Sequence, residues 1–84
     1  MNDNLSNKPK IQNNLKYYRE KLGVTQQEIE WRTGVGRNQW SKYESGEREP
    51  KITLVYKFVS VYNAIALEKG ITLSISTTDI YPPQ

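Results

Sequence analysis

Between Leu15 and Tyr62, apolar residues at helical spacing are cut into short lengths by glycines, and this punctuation limits the fold more than anything else in the chain. Ile11, Leu15, Tyr18 and Leu22 recur at intervals of four, three and four, which places them on one face of a helix. Gly23 ends that run, where a left-handed residue costs least. Thr25-Gln26-Gln27-Glu28 has the form of a capping box, so a second helix is predicted from there to about Arg32, with Ile29 inward. Thr33-Gly34-Val35 interrupts it. Glycine turns sharply without steric penalty, so Gly34 is predicted to make a tight helix-to-helix turn. A third helix is predicted over Arg37 to Ser45, with Gly36 as its cap and Trp40, Tyr43 and Glu44 inward. Gly46 closes it, and a charged loop runs from Glu47 to Lys51.

Beyond Pro50, Thr53 is predicted to cap a fourth helix reaching about Glu68, with Gly70 as its stop. The period then changes to two. Ile71, Leu73 and Ile75 alternate with Thr72, Ser74 and Ser76, the pattern of a short half-exposed strand. A lone strand leaves its edge groups unpaired, and no second strand is evident, so pairing with a copy across a two-fold axis is expected. Ile71, Leu73 and Ile75 are therefore the candidate dimerisation residues, and Thr77 to Gln84 is read as an extended or loose tail. The division is a flexible N-terminal arm over 1–10, a helical domain over 11–69, and a strand and tail over 70–84. Lys8 and Lys10 in the arm are either solubilising charges or contacts to a polyanion.

Eighty-four residues hold one domain at most. With no cysteine and no histidine there is no disulfide framework, thiolate nucleophile or Cys/His zinc site. The acids are spread singly along helices, and no glycine loop is built to cradle phosphate, so neither an enzyme nor a cofactor site is expected. No apolar run approaches the roughly 20 residues that span a bilayer, and Met1 to Lys10 lacks the apolar stretch of a signal peptide; a cytoplasmic chain without a membrane partner is expected.

The net charge is +3, but its distribution says more. Residues 1–24 carry five bases against two acids, whereas 25–51 carry five of each. A nucleic-acid surface in the second segment therefore requires the charges to segregate onto faces. Helical spacing supplies one such face. Arg37, Asn38, Ser41, Lys42 and Ser45 share a single stripe opposite Trp40 and Tyr43. A helix with that stripe suits the major groove, about 12 Å wide, where Arg pairs with guanine and Asn with adenine. The start of the second helix, Thr25 to Gln27, points amide donors at an anion.

Leu15, Tyr18-Arg19, Gly23-Val24-Thr25-Gln26, Ile29, Gly34-Val35, Trp40, Tyr43-Glu44, Gly46 and Pro50 together resemble the phage-repressor/Cro-like, XRE-type helix-turn-helix family over Leu15 to Tyr62. The resemblance implies a mainly α, four- to five-helix lambda-repressor-like domain that binds double-stranded DNA as a homodimer, more as repressor than activator. It implies Arg37 and Asn38 as principal base readers, with Ser41 and Lys42 beside them. Thr25, Gln26, Gln27, Ser45, Gly46, Arg48 and Lys51 fall at phosphate-contacting positions, and Arg19 and Glu44 match a structural ion pair. Antitoxin-type members with a dimerising C-terminal strand suggest a toxin as a further partner; a protein-interaction module that has lost DNA binding is the other alternative. Four positions depart from the family pattern. Glu30 stands where Ala is usual, and is expected to point into water or open the elbow; Trp40 is larger than the usual aliphatic; Gly36 replaces a hydroxyl cap; Trp31 is an exposed aromatic.

Overall fold

The computed structural model describes residues 10–83. The chain forms α1 (Leu15–Lys21), α2 (Gln26–Thr33), α3 (Arg37–Ser45), α4 (Ile52–Lys69) and α5 (Thr77–Ile80). The expected residues 1–9 of the arm lie outside the described part. Glycine sets the breaks: Gly34, Gly46 and Gly70 each take the left-handed conformation just beyond α2, α3 and α4. At Gly46 the requirement is also steric, because a Cβ would sit 2.4 Å from the carbonyl oxygen of Ile11.

The core lies between α4 and the three helices before it. Trp40, Phe58 and Tyr62 are fully buried, and the Trp40 and Phe58 rings meet edge to face at 4.8 Å. The Tyr62 hydroxyl reaches through the core to donate to the carbonyl of Leu15 at 2.8 Å. A buried hydroxyl needs such a partner, and burial holds the Tyr62 phenol well above its ordinary pKa.

Three expectations about the helices are corrected. The first helix starts at Leu15 rather than at Ile11, because Ile11 to Asn14 find other hydrogen bonds. Ile11 N–H donates to Gly46 O at 2.8 Å, Asn13 Oδ1 accepts from Leu15 N–H at 3.0 Å, and Asn14 N–H donates to Ile80 O at 2.8 Å. Asparagine side chains offer the backbone this alternative to a helix. The fourth helix is capped at Lys51, not Thr53; it begins as soon as the chain leaves the buried Pro50. The capping box at Thr25 forms only in half. Its hydroxyl accepts from Glu28 N–H at 3.1 Å, while the Glu28 carboxylate accepts from Arg32 one turn on.

The expected C-terminal strand is absent among the described residues. Its alternation is real: Ile75 is buried and Ile71 and Leu73 half-buried, with Thr72, Ser74 and Ser76 exposed between them. The partner, however, is a helix. The Asn63 amide on α4 donates to Ile75 O at 3.0 Å and accepts from Ile75 N–H at 2.9 Å, doing for one residue what a neighbouring strand does for several. Nor is the following tail loose. Ser76 N–H donates to Asp79 Oδ2 at 2.8 Å at the start of α5, and Ile80 is fully buried. Helix α5 in turn receives Asn14, whose amide donates to Asp79 O at 2.8 Å. The two ends of the described chain thus close the same core.

Candidate nucleic-acid interface

The elbow between α2 and α3 is built from Thr33 to Gly36. Thr33 is buried; its hydroxyl donates to Ile29 O at 2.7 Å and accepts from Val35 N–H at 3.2 Å. Gly34 turns the chain with φ 78°, and Gly36 starts α3 without a side-chain cap. These local bonds fix the angle at which α3 leaves the body.

The inner side of α3 is held by one carboxylate. Glu44 accepts from Arg19 Nε at 2.6 Å and Nη2 at 3.2 Å, from Gln26 Nε2 at 3.0 Å and from Trp40 Nε1 at 2.5 Å. Its side chain is 5% exposed and that of Arg19 is 11%. Arg19 Nη1 also donates to Val24 O at 3.0 Å. A desolvated carboxylate is tolerated only with its lone pairs filled, and four donors from three elements do so here. The bond to Glu44 pushes the Arg19 guanidinium above its ordinary pKa. The Gln26 amide, expected on phosphate, therefore spends one N–H on this carboxylate and ties the α2 start to α3.

The outer side of α3 is polar. Arg37, Asn38, Lys42 and Ser45 are exposed and Ser41 half-buried. Next to Arg37, an open depression of 690 Å³ is lined by Thr25, Gln26 and Gln27 at the α2 start and by Arg19. The far end holds Arg48 and Lys51, both exposed. The Ser45 hydroxyl lies within hydrogen-bonding distance of both Lys42 O, at 3.1 Å, and Glu47 Oε2, at 3.0 Å. Gly46 stands apart from these residues: it is buried, its N–H donates to Tyr43 O and its carbonyl accepts from Ile11.

The evenly charged segment 25–51 is sorted by pairing. Glu44 is buried against Arg19, Glu28 pairs with Arg32 at 3.0 Å, and Glu30 pairs with Arg37. Of its acids only Glu47 and Glu49 are exposed, against Arg37, Lys42, Arg48 and Lys51.

Glu30 does not simply point into water. Its carboxylate accepts from Arg37 Nε across the turn. Gln39 also has a role that the stripe pattern did not indicate. It donates to the Tyr43 hydroxyl at 2.9 Å and accepts from Arg48 Nη1 at 3.3 Å, bracing a loop cation against α3. Its signal in the sequence is only a glutamine one turn before a tyrosine. Ile75, expected to dimerise, lies inside the core; Ile71 and Leu73 line a shallow groove with Leu67. No group of His, Cys, Asp or Glu among the described residues is arranged to hold a metal ion, and no described helix is long and apolar enough to cross a membrane.

Comparison with known proteins places these elements in a wider set. A chain from Archaeoglobus fulgidus, named an uncharacterized HTH-type transcriptional regulator, is 38% identical over 50 residues, covering 60% of this chain and 70% of that one. No solved structure matches. The family model described as Helix-turn-helix matches residues 15–69, from the first residue of α1 to the last of α4. That span takes in the elbow and every helix that holds it, and the chain belongs to the helix-turn-helix family.

Proposed function

We propose that this protein is a sequence-specific double-stranded-DNA-binding transcriptional regulator, a repressor that binds a near-palindromic operator as a homodimer. The observation that carries this reading is the exposed stripe of α3, set beside the α2 start and bracketed by the exposed loop cations Arg48 and Lys51. In it Arg37, Asn38, Ser41 and Lys42 read base edges in the major groove. Thr25, Gln26 and Gln27 at one end, and Ser45, Arg48 and Lys51 at the other, contact phosphates, with Gly46 holding the loop's shape. Two such helices related by a two-fold axis enter successive grooves about 34 Å apart.

The groove formed by Leu67, Ile71 and Leu73 supports the homodimer; Leu67 is 83% exposed. Ile75 is left out, since freeing it would open the core. Light scattering on Leu67→Lys and Leu73→Lys variants tests this: both are expected monomeric, and dimers that persist in both place the interface elsewhere. Trp31, 82% exposed on α2, supports a second reading with an additional protein partner, such as a toxin. Selection of bound sites from random duplex tests the main proposal. An inverted repeat is expected, with affinity falling steeply as salt rises. Failure to retain any duplex at low salt overturns it.

A further inference from the structure

We propose that Glu30 is a specificity-determining residue, which positions Arg37 to read a guanine and does so at some expense of general DNA affinity. This rests on the proposed DNA-binding function and concerns a residue outside the reading stripe. Arg37 opens α3 and its side chain is 53% exposed, so without a partner it would sample many rotamers. Glu30, three residues before the end of α2, is 20% exposed and faces it across the elbow. The hydrogen bond runs from Arg37 Nε to Glu30 Oε2. Nη1 and Nη2 have no partner among the described residues.

The consequence lies in guanidinium geometry. An arginine offers five N–H donors in a rigid fork. With Nε held, the end-on edge of Nη1 and Nη2 is presented in a fixed plane. That edge matches guanine O6 and N7, two acceptors, while adenine sets an amino donor against it. A fixed plane penalises the mismatch more than a mobile side chain that can swing aside to a phosphate. Glu30 blocks that escape, and its own negative charge repels the DNA backbone. It also offsets the charge of Arg37, so this cation adds little sequence-independent attraction.

The test uses the full chain with the site selected from random duplex. Affinities are measured for wild type, Glu30→Ala, Glu30→Gln, Arg37→Ala and the double variant. The targets are the selected site, its three single-base variants at each position, and random duplex. Glu30→Ala is expected to lower discrimination at the one guanine lost in Arg37→Ala by about fivefold to tenfold, while random-duplex affinity rises. Glu30→Gln, whose amide oxygen still accepts from Nε, is expected to keep much of the discrimination. In the Arg37→Ala background, Glu30→Ala is expected to change discrimination no further.

Three results overturn the inference. One is a uniform affinity gain on every duplex with preference intact, which makes Glu30 a repulsive charge only. Another is a loss in the Arg37→Ala background at a cytosine, which makes Glu30 a base reader itself. The third is an Arg37→Ala protein with unchanged preference. Thermal melts of each variant separate these outcomes from unfolding. Wild type that retains no duplex defeats the DNA-binding reading instead, a different result from any of the three.

Discussion

Two arginine–glutamate pairs hold α3, one on each side, and they differ in almost every physical respect. Arg19–Glu44 lies inside, both side chains largely out of water, with the carboxylate filled by donors from α1, α2 and α3. Arg37–Glu30 lies outside, joined through Arg37 Nε alone among the described residues, with half of the arginine in solvent. The residue types are the same, yet the inner pair is a joint of the fold and the outer one a feature of the proposed reading surface. Burial makes the difference. A desolvated charge must keep its partners, whereas an exposed one that loses its partner is solvated by water with little change in stability.

The largest effect should come from the inner pair. Glu44→Ala leaves Arg19, Gln26 and Trp40 Nε1 without their acceptor and is expected to destabilise the domain by about 3–5 kcal/mol. A thermal melt would show this as a fall of more than about 10 °C. A fall of only a degree or two would erase the contrast between the pairs.

Next in size is an alkaline effect in the core beneath that pair. The Tyr62 phenol is held above its ordinary value of 10.0, chiefly by burial and then by the nearby Glu44 charge. Its stabilising contribution is therefore complete below pH 10 and is lost as pH rises, because the unfolded chain ionises first. The slope approaches about 1.4 kcal/mol per pH unit for one phenol once the unfolded chain's phenol is ionised. Denaturant titrations between pH 9.5 and 11, on the order of that window, should show a shallower decline in Tyr62→Phe than in wild type. Equal slopes would assign the alkaline loss to Tyr18 or Tyr81, whose phenols are also raised.

Arg37→Ala tests the outer pair. Stability should change by less than about 0.5 kcal/mol, while binding to the selected site weakens by about 1–3 kcal/mol. A loss of stability comparable to that of Glu44→Ala would make the outer pair structural as well. The smallest effect is expected at a third pair, Arg32–Glu68, between α2 and α4. The hydrogen bond from Arg32 holds the Glu68 carboxyl below its ordinary range. What it contributes is present above the unfolded value and lost as pH falls through the lowered one. The carboxylate is solvated, so Glu68→Gln should leave an acid-unfolding midpoint within experimental error of wild type.

Local chemistry was legible wherever it was written in consecutive residues. Gly34 and Gly46 announced the turns, the hydroxyl of Thr25 announced a helix start, and the three- and four-residue spacing separated Trp40 and Tyr43 from Arg37, Asn38 and Lys42. The C-terminal segment was legible only in part. Period two correctly sorted Ile71, Leu73 and Ile75 from the serines and threonines. It could not say that Asn63, twelve residues earlier, takes the place of a partner strand. The Ser76-x-x-Asp79 spacing, another helix-start signal, lies within the same segment and sets the start of α5. Glu30 was singled out as a departure, but its partner lies across the elbow on another helix.

The order of short helices, the turn that joins α2 to α3 and the polar stripe along α3 were determined by the sequence itself. Each depends on steric and hydrogen-bonding preferences acting over three or four residues. Tertiary structure alone decided which acids are hidden, which cations stay exposed among the described residues, and that both ends of the described chain complete one core. Those outcomes depend on desolvation, and desolvation is set by neighbours brought together from distant parts of the chain.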